Sequence, residues 1–323
     1  MPALTRTLGR NGPAVSAIGL GAWAIGGPHS RDGKPIGWGE VDDDESVRAI
    51  HAALGAGITY IDTADVYGCG HSERVIARAL RGHRDGVVVS TKFGFTYDEQ
   101  TKESPGSDAS PAYIRQACEA SLRRLETDVI DLYQFHLNQY PLDRAGEVRD
   151  TLDALVAEGK IRAFGWSTDD AERAAFFAES PNCASVQQRF NLFDGDVATL
   201  EVAERSGLAS IVRSPLGMGL LTGKMSKQTS FAETDVRSGW DFSGRQGEQL
   251  DRLADIRSIL TADGRSLAQG ALGWLLARSD AFVPIPGIRT VAQAEENAGV
   301  LERGPLPHSA LAEIDAILAA TPN

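Results

Sequence analysis

Cysteine is scarce in this chain of 323 residues. The three present, Cys69, Cys118 and Cys183, are odd in number and far apart. That excludes a disulfide framework and is the pattern of reduced thiols in the cytoplasm. Long apolar runs are also missing: no stretch approaches the roughly 20 residues that a membrane-crossing helix requires. The opening MPALTRTLGRNGP carries no apolar core of signal-peptide length. A cytoplasmic protein without a membrane partner is expected. An excess of positive charge is absent too. Asp and Glu number 44 against 32 Lys and Arg, and the net charge of −12 is spread along the chain, which argues against nucleic acid as a partner. Histidine is rare, 6 in all, with no His-x-His pair. A metal-dependent barrel hydrolase needs clustered His and carboxylate ligands at strand ends, so no metal is expected.

No low-complexity tract or Pro/Ser-rich linker divides the sequence, and one domain over residues 1–323 is expected. With 42% hydrophobic residues the chain has ample material for a core. Short apolar runs alternate with amphipathic segments. Eight runs read as strands: Ser16–Leu20, Ile58–Asp62, Val87–Thr91, Val129–Phe135, Ile161–Trp166, Ala184–Gln188, Ala209–Ser214 and Ala281–Ile285. Helices between them have clear starts and stops. Asp42 to Glu45 place acid at the first turn of a helix that Gly57 ends, Ser110-Pro111 opens another, and the helix from Asp143 to Glu158 stops at Gly159. Short strand–helix links force parallel strands and right-handed crossovers, and eight such units close into an α/β (β/α)8 TIM barrel. Ahead of it, Thr5–Leu8 and Val15–Ile18 flank an Arg10-Asn11-Gly12 turn and predict an N-terminal hairpin capping the barrel bottom. The longest segments without strand character, Trp23–Val41, Phe93–Ser110 and Thr222–Gly247, come after strands and belong over the C-terminal mouth.

Gly19-Leu20-Gly21-Ala22-Trp23-Ala24 fits the dinucleotide fingerprint G-x-G-x-x-A. The next residues, Ile25-Gly26-Gly27-Pro28, cannot continue as a phosphate-binding helix, so a Rossmann fold stands only as a rival to the barrel. Gly19 and Gly21 instead let the backbone turn over the barrel mouth. Four polar residues stand out by position. Asp62, Lys92 and His136 end the second, third and fourth strands, and Tyr67 lies in the loop after Asp62. Strand ends are neighbours around a barrel rim, so these four should converge.

The segments carrying them resemble the aldo-keto reductase superfamily. They are Ile61-Asp62-Thr63-Ala64-Asp65-Val66-Tyr67-Gly68, Ser90-Thr91-Lys92 and Asp131-Leu132-Tyr133-Gln134-Phe135-His136. Gly165-Trp166-Ser167, Val186-Gln187, Ser214 through Lys224, Pro284-Ile285-Pro286-Gly287 and Glu296-Asn297 come after them in family order. The resemblance implies an oxidoreductase that passes hydride between NADPH, with NADH possible, and a small carbonyl or alcohol. Tyr67 is then the proton donor, assisted by Lys92, Asp62 and His136. A free tyrosine is a weak acid at neutral pH, and an adjacent ammonium is the group that would strengthen it.

The resemblance also implies a cofactor site. Ser167 and Gln187 meet the nicotinamide carboxamide, and Ser214, Pro215, Leu216, Gly217 and Gly219 approach the pyrophosphate. Gly21, Ala22, Trp23, Asp62, Lys224, Ile285 and Gly287 line the groove. Gln293 and Asn297 face the adenine side, and Glu296 is a further cofactor-binding residue. Arg289, after the last strand, is placed for the 2′-phosphate, since a guanidinium grips phosphate in bidentate fashion. Thr290 with Gln293 also reads as a capping box. Thr168 and Arg213 are included, though many members carry asparagine and an aromatic residue there. Arg213 would stack on the nicotinamide or bond a phosphate. Trp23, Trp38, Phe93, Tyr67 and His136 are expected to wall the substrate pocket, with Cys69 a bystander. Some relatives of this kind sense nicotinamide redox state without turnover, and the complete set of four does not separate the two roles.

Overall fold

The computed structural model describes residues 4–320. An antiparallel hairpin of β1 (Thr5–Thr7) and β2 (Ala14–Ser16) opens the chain, followed by β3 (Leu20–Gly21). A second hairpin, β4 (Ser30–Arg31) and β5 (Lys34–Pro35), precedes α1 (Asp43–Gly55), β6 (Tyr60–Asp62) and α2 (His71–Leu80). Strand β7 (Val88–Phe93) leads into a third hairpin, β8 (Phe95–Thr96) with β9 (Gly106–Ser107), and then α3 (Pro111–Leu125). The alternation continues through β10 (Ile130–Phe135), α4 (Ala145–Ala157), β11 (Ile161–Ser167) and α5 (Ala171–Ala178). It runs on through β12 (Cys183–Arg189), α6 (Val197–Ser206), β13 (Ala209–Arg213), α7 (Arg245–Leu260) and α8 (Leu267–Arg278). Strand β14 (Phe282–Pro284), α9 (Val291–Arg303) and α10 (His308–Ala320) complete it.

Eight strands form one parallel sheet in the order β14-β13-β12-β11-β10-β7-β6-β3. Its two edges meet through a parallel bridge between Gly21 and Gly287, with Gly21 N donating to Pro286 O at 2.9 Å and Gly19 N to Pro284 O at 2.8 Å. The molecule is therefore a (β/α)8 barrel. Gly21 is required by this closure: a Cβ there would sit 2.7 Å from the Ile285 carbonyl oxygen.

Two apolar layers hold the barrel. Inside it, Leu8 and Val15 of the N-terminal hairpin pack with Tyr60, Val88, Leu132, Ala184, Ala209 and Val283, so the hairpin plugs the bottom as expected. Outside it, the helices bury their apolar faces on the strands. The helix caps match the sequence: the Asp42 side chain accepts from Asp44 N and Glu45 N, and Ser110 from Tyr113 N.

Three expectations shift. The first barrel strand is Leu20–Gly21, not Ser16–Leu20, because Ser16 is already paired with Thr5 in the hairpin. The mouth segments Trp23–Val41 and Phe93–Ser110 each contain a small hairpin. Phe93 is not in a loop at all: it ends β7, is fully buried, and stacks on Tyr133 and Phe135 at 4.6 and 5.4 Å. Side chains alternate along a strand, so with Lys92 turned inward Phe93 must face the helices.

Candidate active site

Asp62 sits at the end of β6 with both oxygens occupied. Oδ1 accepts from Lys92 Nζ at 2.5 Å. Oδ2 accepts from Ser90 Oγ at 2.7 Å, Gln187 Nε2 at 2.9 Å and Gln134 Nε2 at 3.0 Å. Lys92 is fully buried and also donates to Thr63 O at 2.8 Å. Tyr67 Oη lies 3.4 Å from its ammonium. The His136 ring stands edge-on to the Tyr67 ring, centroids 5.9 Å apart. The three residues read from strand ends, and Tyr67 from the loop after Asp62, therefore converge on one place at the C-terminal mouth.

Their electrostatics arise from burial. Burial pushes the Tyr67 phenol above its usual value while Lys92 pulls the other way, and the net direction is upward. The Lys92 ammonium is disfavoured by burial, but Asp62 and Tyr67 more than offset this and hold it protonated. Burial, with Lys92, Arg213 and Arg31 nearby, holds His136 well below the ordinary imidazole value, so the ring is neutral. Its Nδ1 is buried and has no hydrogen-bond partner among the described residues.

A cavity of about 660 Å³ opens above these groups. Of the residues expected there, Gly21, Ala22, Trp23, Trp38, Ser167, Gln187, Ser214, Pro215, Leu216, Gly219, Lys224, Ile285, Gly287, Arg289, Gln293, Glu296 and Asn297 all line it, as do Asp62, Tyr67, His136 and Arg213. Trp23 stacks on Tyr67 at 6.1 Å and meets Trp38 edge-on at 5.3 Å. The cavity's far wall runs from the turn at Ser214 to the N-terminus of α9, where Thr290 accepts from Gln293 N and Arg289 donates through Nη1 to Trp38 O. The capping box there is half made, since Gln293 Oε1 takes the N–H of Arg289 rather than of Thr290. Lys224 pairs with Glu296 at 3.0 Å across the rim.

Two more expected contacts are corrected. Thr168 is buried beneath the wall, its hydroxyl directed to the carbonyl and side-chain oxygens of Asn138 at 3.0 and 3.2 Å. Asn138, one βα unit away, lines the cavity in its place. Gly217 is not among the residues that line the cavity and turns the chain with a φ of 55°. Arg213 reaches the cavity but is ion-paired with Asp169, which in turn accepts from Asn138 Nδ2 at 3.0 Å. Sequence reasoning passed over His29, Arg31, Phe95, Asn138, Phe231 and Arg237, which line the same space. The Asp32-Gly33 turn was the available signal for the hairpin that delivers Arg31. Cys69 is buried with its thiol pushed up to about 11, which suits a bystander.

A barrel with a Lys–Asp pair beneath a tyrosine, beside a neutral histidine and below a cavity, is the arrangement that the sequence resemblance leads one to expect. The match to known proteins agrees. The Aldo/keto reductase family model covers residues 17–319. The chain is 34% identical over 296 residues to the aldo-keto reductase YhdN of Bacillus subtilis (strain 168), covering 88% of this chain and 84% of that one. It superposes on the glycerol dehydrogenase AKR11B4 from Gluconobacter oxydans with a TM-score of 0.85 at 34% identity, covering 99% and 97% of the two chains. It also superposes on an aldo/keto reductase from Klebsiella pneumoniae in complex with NADP and acetate, with a TM-score of 0.71 at 28% identity over 98% and 96%. This chain belongs to the aldo/keto reductase family, whose members are oxidoreductases acting on small carbonyl compounds. Among the described residues no helix is long and apolar enough to cross a membrane.

Proposed function

We propose that the protein reduces aldehydes or ketones to alcohols with NADPH, Tyr67 acting as the general acid. The observation that carries this reading is the approach of the Lys92 ammonium to both Tyr67 Oη (3.4 Å) and Asp62 (2.5 Å) at the floor of a cavity of about 660 Å³ that runs on to Arg289 and Asn297. The groove's polar groups suit the cofactor. No described residue bonds to the Ser167 hydroxyl or donates to Gln187 Oε1, which leaves one donor and one acceptor for a carboxamide. Ser214, Met218 and Gly219 line the groove with positive φ values, the kind of backbone from which anion-binding nests are made. Arg289 stands at a helix N-terminus after the last strand, where barrels commonly hold phosphate. The relative solved with NADP supports the same cofactor, and NADH is its alternative. When bound, the nicotinamide supplies the hydride.

The chain's own residues do the rest. The neutral His136 orients the carbonyl oxygen, Tyr67 hydrogen-bonds to it and gives up its proton as negative charge develops, and the Lys92 ammonium stabilises the resulting phenolate. Asp62 holds Lys92 in reach. Arg213, tied to Asp169, is restrained from swinging freely over a nicotinamide ring, so its part is to present a fixed positive charge to the groove. Spectrophotometric turnover of NADPH and NADH with a panel of aldehydes, ketones and sugars tests the proposal. Negligible turnover with all of them would leave a nicotinamide-sensing binding protein.

Arg289→Ala should raise KM for NADPH by about 10- to 100-fold, the worth of a charge-assisted phosphate contact, while KM for NADH moves by less than about threefold. Equal changes for both cofactors would take Arg289 out of phosphate recognition. Because the Tyr67 phenol is held above its ordinary value, its acid form persists through neutral pH. Carbonyl reduction is therefore flat from about pH 6 to 9 and alcohol oxidation rises with pH over the same span. His136 adds no limb near 6.5, since it is already neutral there. Steady-state kcat profiles in both directions check this.

A further inference from the structure

Among the described residues five lysine and arginine side chains line the cavity, and four are spoken for. Arg213 pairs with Asp169, Arg237 with Asp235, Lys224 with Glu296, and Arg289 donates to Trp38 O. The fifth is Arg31. Its side chain makes no hydrogen bond or ion pair with any described residue, and its Nε is buried without a partner. The guanidinium lies 3.9 Å from the centre of the Phe95 ring, and Phe95 meets His136 edge-on at 5.3 Å. One aromatic ring thus separates an unpaired cation from the imidazole at the chemical centre.

The hairpin holds that cation in place. Asp32 and Gly33, both with positive φ, form the two-residue turn between β4 and β5. Glu103 clamps it, accepting from Ser30 Oγ and from Gly33 N at 3.2 Å, while Ser30 N donates to Lys102 O at 2.9 Å. Glu103 is therefore engaged with the hairpin's other residues and not with Arg31. The neighbouring Asp32 acts on Arg31 through space without forming an ion pair, and a half-buried cation left unpaired is unfavourable.

We propose that Arg31 binds the carboxylate of the substrate, so that the preferred substrates are carbonyl compounds carrying a carboxylate a short carbon spacer away from the reacting group. The carbonyl end lies at Tyr67 and His136, the spacer runs along Phe95, and the carboxylate meets the guanidinium fork. This rests on the carbonyl-reductase reading above. The test compares kcat/KM for succinic semialdehyde with that for butanal, and for 4-carboxybenzaldehyde with that for 4-methylbenzaldehyde, in wild type, Arg31→Met and Arg31→Lys. In the wild type both ratios exceed one. Arg31→Met lowers the better ratio by about 30-fold, and Arg31→Lys falls between, since an ammonium keeps the charge and loses the fork. A ratio cancels any loss of folded enzyme. Ratios at or below one in the wild type, or unchanged in Arg31→Met, overturn the proposal. If no aldehyde is turned over, the reductase reading falls, and calorimetric titration with glutarate still decides the anion site. Binding by wild type that Arg31→Met loses supports it, and equal or absent binding refutes it.

Discussion

Tyr67→Phe lowers kcat for carbonyl reduction by about a thousandfold, close to 4 kcal/mol of barrier, while NADPH still binds within about threefold of wild type. The substitution removes one hydroxyl and nothing else. Trp23 keeps its stacked neighbour, and Lys92 keeps Asp62 and Thr63 O, which are its two shorter contacts. The melting temperature should accordingly shift by no more than roughly 2 °C. Rapid-mixing turnover alongside cofactor fluorescence titration separates the two quantities. Turnover within tenfold of wild type would remove Tyr67 from the proton step.

Lys92→Met has the opposite character, costing both chemistry and stability. Lys92 is fully buried and its ammonium is the counter-charge to an equally buried Asp62. Removing one partner of such a pair leaves an uncompensated charge, worth about 3 kcal/mol after the remaining donors to Asp62 are allowed for. Denaturant unfolding reads this directly. Turnover falls at least about a hundredfold, because the phenol loses the cation that eased its ionisation. The double substitution Asp62→Asn with Lys92→Met removes both charges and should recover most of the stability but none of the turnover. If turnover returned with stability, Lys92 would be holding up the barrel and not tuning Tyr67.

Much of this site could be read from strand ends. A barrel strand turns its last polar residue toward the mouth, so Asp62, Lys92 and His136 are visible wherever the apolar run stops. The same rule, applied one residue further, would have excluded Phe93: neighbours on a strand face opposite ways, and Lys92 already points inward. Arg31 was hidden for another reason. Strands of two residues have too few positions to display alternation, and only the Asp32-Gly33 dipeptide marked the hairpin. Thr168 shows a third limit. It is one step along the chain from Ser167, yet the side chain that reaches the cavity belongs to Asn138, brought beside it by the pairing of β10 with β11. No pattern within a single segment reveals which of two adjacent strands supplies the outermost amide. The partner of Arg213 is 44 positions away and was equally beyond local reading.

The crowding around the Asp62 carboxylate has a bearing on how such a protein could be altered. Donors from β7, β10 and β12 all terminate on it, so the acidity of the tyrosine is wired to the relative placement of a large arc of the barrel. In the proposed reading the parts that choose the substrate are built elsewhere, on the clamped Ser30–Pro35 hairpin and the mouth loops. Exchanging those appendages would change what the enzyme accepts while leaving its proton donor tuned as before.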